Sequence, residues 1–135
     1  MDKNKFITIK KEHAKEILYL LLSNKKKFSI VAHLKAISFN PTLPKHIIEN
    51  FDDAILFILA NYTLKSAHIK DDNLIFEAGF GKENFGSVVT IPFANIIQII
   101  QNNTPLFINP FANIITNTSK NPFLKNPKNK KFLKN

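Results

Sequence analysis

The stretch Asn73-Leu74-Ile75-Phe76-Glu77-Ala78-Gly79-Phe80-Gly81, with Ser87-Val88-Val89-Thr90-Ile91 shortly after it, decides how this chain folds. Leu74, Phe76, Ala78 and Phe80 fall on one side of an extended segment, and Ile75, Glu77 and Gly79 on the other. That two-residue period marks a half-buried strand. Gly81 and Gly86 bracket a connector and the β-branched run 87–91 returns, so 74–91 reads as a β-hairpin. Pro92 lacks an N–H and stops the ladder.

Working outward, Phe28-Ser29-Ile30-Val31-Ala32-His33-Leu34 reads as a strand, and the apolar run Ala54 to Ala60 as another, its Ile and Phe favouring β. Asn40-Pro41-Thr42-Leu43-Pro44 is a loop. After Pro92, Phe93, Ile96, Ile97 and Ile100 have helical spacing and predict a short helix. Leu106-Phe107-Ile108 is a last short strand. Ahead of all these strands, Ala14, Ile17, Leu18, Leu21 and Leu22 predict a helix over Lys10–Asn24. Glu12 and Glu16 near its start and Lys25-Lys26-Lys27 past its end suit the helix dipole. Tyr19 and Leu20 widen its apolar face.

The 135 residues suit one domain, and 44% apolar with 21% charged is an ordinary globular balance. There is no cysteine, which excludes disulfides, thiolate nucleophiles and Cys-based metal sites, and fits a reducing compartment. The longest apolar runs are too short to span a bilayer, and charged Lys10, Lys11, Glu12, Lys15 and Glu16 stand where a signal peptide needs an apolar stretch. A soluble, cytoplasmic protein is expected. The net charge is +9, yet residues 117–135 hold six lysines and no acid, leaving 13 lysines against 10 acids elsewhere. The basic character therefore belongs mainly to residues 117–135, which are too poor in apolar residues to pack and are expected to form a disordered tail. All 19 basic residues are lysine. Without a guanidinium the chain lacks the bidentate contacts common in specific nucleic-acid readers.

Site chemistry for an enzyme is missing. His13, His33, His46 and His68 are scattered, with no metal-binding spacing, and no metal or other cofactor is expected. Asp52-Asp53 and Asp71-Asp72-Asn73 are turn chemistry, the latter lacking the remaining ligands of a calcium loop. Gly79-x-Gly81 precedes no helix start, and no serine sits in a nucleophile elbow. A non-enzymatic binding module remains. Small barrels of this kind take extended peptides or single-stranded nucleic acid.

Over most of residues 12–111 the chain resembles the stringent starvation protein B (SspB) family. The match begins with Leu20-Leu21-Leu22-Ser23-Asn24 and Ser29-Ile30-Val31-Ala32, and continues through Ile55-Leu56-Phe57-Ile58-Leu59 to Asp71-Asp72-Asn73-Leu74-Ile75-Phe76. Its most specific part is Phe76-Glu77-Ala78-Gly79-Phe80-Gly81, leading to Ile91-Pro92-Phe93-Ala94-Asn95-Ile96-Ile97-Gln98-Ile99. These are similar to the family's Phe-x-Ala-x-Phe-Gly and apolar-Pro-apolar-Ala-x-apolar signatures.

The resemblance implies an α+β fold, an N-terminal helix packed on a small antiparallel Sm-like β-barrel over 1–116, followed by the flexible basic tail 117–135. It implies an adaptor that grips ssrA-type degradation tags as extended peptides and hands tagged proteins to the ClpXP protease. The matching positions for peptide binding are Ile58, Leu59, Ala78, Phe80, Gly81 and Phe107. Ala78 is the most telling, since a small side chain lets a peptide backbone approach. Docking on the ClpX unfoldase would fall to Phe132, Leu133 and Lys134, with Phe123-Leu124-Lys125 as a second candidate. Departures border the groove. His33 and Lys35 replace the family's Asp and Thr, Ile37-Ser38 a Pro-Gly turn, and Lys82 a second Gly. The family's first helix mediates a homodimer, but here Glu12 and Glu16 stand where apolar contacts are expected, so a dimer uses another face or the protein is a monomer. The alternative function is a small-barrel RNA-binding protein using the basic tail, with RNA or the ribosome as partner. A third reading is an interaction domain of the same ancestry without the protease link.

Overall fold

The computed structural model describes residues 2–112. The first helix, α1 (Lys3–Asn24), is longer than its apolar stripe predicts. Asp2 caps it, its side chain accepting from the Lys5 N–H at 3.2 Å, and the chain leaves through Lys25 in the left-handed region. Ala14, Leu18 and Leu21, spaced four and three apart, form the buried stripe. Among the described residues no helix is long and apolar enough to cross a membrane.

Among the described residues eight strands follow: β1 (Phe28–His33), β2 (Ser38–Asn40), β3 (Ala54–Leu59), β4 (His68–Lys70), β5 (Asn73–Phe80), β6 (Phe85–Pro92), β7 (Ile96–Gln101) and β8 (Thr104–Ile108). Two short helices, α2 (Lys45–Ile48) and α3 (Asn61–Ser66), lie between them. The strands form two four-stranded sheets, in the orders β3-β1-β7-β8 and β2-β6-β5-β4, and every neighbouring pair is antiparallel. The architecture is α+β, an N-terminal helix with two antiparallel sheets.

The predicted hairpin is the longest ladder, running from Asn73 opposite Pro92 to Phe80 opposite Phe85. Pro92 is its last residue, as its missing N–H requires. Leu74, Phe76, Val89 and Ile91 point inward and meet Phe28, Ile30, Leu59 and Ile99 from the other sheet. Leu18 and Phe93 are buried in the same cluster. Truncating a fully buried leucine such as Leu18 to alanine would cost about 2–5 kcal/mol.

One expectation is corrected. The helix expected over 93–100 is instead a single 3-10 turn, Phe93–Asn95, followed by strand β7. The reason is a bulge. Val31 lies opposite Gln98 but its neighbour Ala32 lies opposite Ile96, so Ile97 is an extra residue. The bulge turns both Ile96 and Ile99 inward, three positions apart, and so imitates helical spacing. Pro105 is tolerated inside β8 because that strand is an edge. The expected tail, 117–135, and the domain boundary at 116 lie outside the described residues.

Candidate functional site

At its far end the hairpin thins to a waist. Ala78 and Ser87 face each other on the inner side, and the next pair, Gly79 and Gly86, on the outer side. These four consecutive cross-strand positions thus carry nothing larger than a hydroxymethyl group. Ser87 is buried and spends its hydroxyl on the Pro41 carbonyl at 2.9 Å, which fixes the loop after β2 against the hairpin. A cleft of about 450 Å³ opens over the waist, between Asn40 and Pro41, Tyr62 and Thr63 of α3, and Asn84 of the hairpin turn.

The edge of β5 is open there. Strand β4 pairs only with Asn73 to Ile75, so beyond Ile75 that side of β5 has no strand neighbour among the described residues. Helix α3 covers its start: the Glu77 N–H donates to Ser66 Oγ at 2.9 Å and Tyr62 Oη donates to Glu77 Oε1 at 2.7 Å. The bond from Tyr62 and the adjacent negative charge hold the phenol above its usual pKa, with desolvation adding to the shift. Asn84 Oδ1 occupies the space that a Cβ on Gly79 would need, whereas a Cβ on Gly86 would meet nothing.

Phe80, next along β5, is half-buried in an aromatic cluster. Its ring is edge-on to Phe39 at 5.6 Å, Phe51 at 6.1 Å and Phe57 at 6.4 Å, and Phe57 in turn meets Phe76 at 5.3 Å. Gly81 follows with φ +73°, in the left-handed region that favours glycine, and a Cβ there would press on Glu83 and Ile47. It borders a second cleft of about 490 Å³ with His46, Asn50, Phe51 and Glu83. Across this cleft His46 Nε2 lies 2.8 Å from Glu83 Oε2. The Glu83 carboxyl is held below its ordinary pKa, first by a backbone N–H and then by His46.

The structure therefore brings Ala78, Phe80 and Gly81 together, flanked on both sides by open space. It does not bring the other three candidates to them. Leu59 is fully buried and Phe107 nearly so, and with no side-chain surface to offer a ligand both are reassigned to packing. Phe107 receives the edge of His13 at 5.4 Å and lies under Lys10 Nζ. Ile58 is 58% exposed but on the outer face of the other sheet, beside exposed Leu56. The docking candidates Phe132, Leu133 and Lys134, and Phe123-Leu124-Lys125, lie outside the described residues.

Sequence reading missed Tyr62, Glu77, Asn84 and Gly86 as cleft residues. A signal existed for two of them: a lone carboxylate in an apolar strand, and a glycine able to sit opposite Gly79 once the hairpin register is set. Among the described residues no three His, Asp or Glu side chains gather as a metal set. No family model matches the chain, and no curated protein matches it.

Proposed function

We propose that this chain is a non-enzymatic adaptor of the SspB type, cytoplasmic, which binds ssrA-type tags as extended peptides at the hairpin waist. On this reading the two sheets are the halves of an Sm-like barrel. The observation that carries it is the waist itself: an open strand edge beside Ala78, Gly79, Gly86 and Ser87, with an aromatic cluster at its end. An added peptide strand would take main-chain hydrogen bonds from the β5 edge, and apolar pockets beside Phe80 would select its side chains. The lysine-rich residues 117–135, through Phe132, Leu133 and Lys134, would dock on the ClpX unfoldase. Tethering then raises the substrate's effective concentration at the protease. The adaptor breaks no bond.

Fluorescence anisotropy with the host's own tag peptide tests this. Wild type binds; Ala78→Gln, which fills the waist, abolishes binding while circular dichroism and the melting temperature show a folded protein. A folded Ala78→Gln protein that binds as tightly as wild type overturns the placement.

The six lysines in 117–135 favour a second reading, an RNA-binding small barrel. Against it stand the missing arginine and the nearly neutral remainder of the chain. Salt separates the two readings: RNA binding weakens steeply with ionic strength, and an apolar peptide groove responds far less.

A further inference from the structure

Resting on the peptide-groove reading, we infer that the cleft under Tyr62 is a pocket for a cationic side chain, a lysine of the bound segment. The argument begins with charge. The chain carries +9 overall, yet among the described residues that line this cleft Glu77 is the one that is charged. One carboxylate oxygen of Glu77 accepts from Tyr62, which orients the group, and the other remains available to a ligand. Directly opposite Glu77 in the hairpin register stands Val88, which is 37% exposed. Tyr62 is more exposed still, at 63%. One row further along the outer face, the Asn84 side chain covers Gly79, whereas Gly86 leaves its side of the row open.

These groups match the parts of a lysine. Its ammonium needs an anion and gains from an aromatic face, its methylene stem needs apolar surface, and its backbone needs close access. Glu77, Tyr62, Val88 and the open Gly86 supply them in that order. An acidic side chain at the same position would face the Glu77 carboxylate with no cation among the described lining residues to offset it. The pocket therefore discriminates by repulsion as well as attraction.

The test uses the full chain and two sets of fluorescein-labelled probes. One set is the host's tag peptide with Lys or Glu walked through its positions. The other is a set of decapeptides of Ala, Ser and Asn carrying the same walk. At one position, or two neighbouring ones, wild type should prefer Lys to Glu by about threefold to tenfold. Glu77→Gln should erase that preference and Glu77→Lys should reverse it. Because these variants could alter folding, the wild-type preference is also followed from about 50 to about 500 mM salt, over which it should shrink.

Peptide binding with no position preferring Lys overturns the cationic pocket and leaves the peptide groove standing. A preference that survives in folded Glu77→Gln, or that ignores salt, also overturns it. Failure of both probe sets to bind overturns the groove and the pocket together.

Discussion

The ring of Phe80 stands edge-on to that of Phe39, with centroids 5.6 Å apart and planes at 87°. This pair joins the end of β5 to the edge strand β2 across the intervening β6. It therefore holds the rim of the candidate groove independently of the ladder hydrogen bonds. Phe80→Ala should destabilise the protein by about 2–3 kcal/mol, less than the full loss for a wholly buried phenylalanine because the ring is only half-buried. A double-mutant cycle with Phe39→Ala, read by urea denaturation, should show a coupling of about 0.5–1.5 kcal/mol. Additive effects would show that the contact does not hold the rim.

The glycines of the waist differ in what a methyl group would meet. A Cβ on Gly86 has open space, so Gly86→Ala should keep its melting temperature within a few degrees of wild type while raising the floor of the cleft. Tag-peptide affinity should fall severalfold. Gly79→Ala must displace the Asn84 side chain and should lower stability and binding together. Equal behaviour of the two variants would show that the cleft floor is not a contact surface.

Acid sensitivity should come in two windows. Burial lowers the pKa of His33, opposed by the charge of Asp53. The unfolded chain therefore takes up this proton at a higher pH than the folded one. The stability involved is intact above the ordinary value of 6.5 and lost as pH falls through the folded value. Glu83, also lowered, contributes stability present above its ordinary value of 4.5 and lost as pH falls through its own folded value. Thermal melts across pH should show the first loss vanish in His33→Gln and the second in Glu83→Gln. Unchanged pH profiles in both variants would refute the assignment.

Removing residues 117–135 should leave the melting temperature and tag-peptide affinity unchanged, because the described strands and the cleft lining all lie within residues 2–112. On the proposed adaptor reading, degradation of a tagged reporter by ClpXP should fall to its rate in the absence of this protein. Undiminished delivery would remove Phe132, Leu133 and Lys134 from the mechanism.

What was legible in the sequence follows physical lines. The hairpin was readable because its alternation and glycines are local signals, and α1 because Ala14, Leu18 and Leu21 keep one period. The beginning of α1 was not, since its early turns are mostly exposed and are held by the Asp2 cap and by contacts to Ile108 and Phe111, which no local pattern announces. Strands β2 and β4 have only three residues each, too few to display a period, and β7 was disguised by its bulge. At the candidate site, Ala78, Phe80 and Gly81 share the stretch 78–81, so their proximity was legible from the sequence itself. Tyr62 and Glu77 meet only through the seating of α3 on β5, which no local pattern announces. Leu59 and Ile58 show the converse: adjacent residues of one strand point to opposite faces, so an apolar run alone does not say which is reachable.

Helix α1 is secured by residues near the far end of the described fold. Phe6 stacks on Phe111 at 5.5 Å, and Lys10 Nζ donates to the Ile108 carbonyl at 2.9 Å. During synthesis, Lys10 therefore leaves the ribosome 98 residues ahead of Ile108, the partner that helps to seat its helix. During that interval the greasy stripe of Ala14, Leu18 and Leu21 has no permanent shelter, which makes the nascent polypeptide a natural client for chaperones that shield apolar helices.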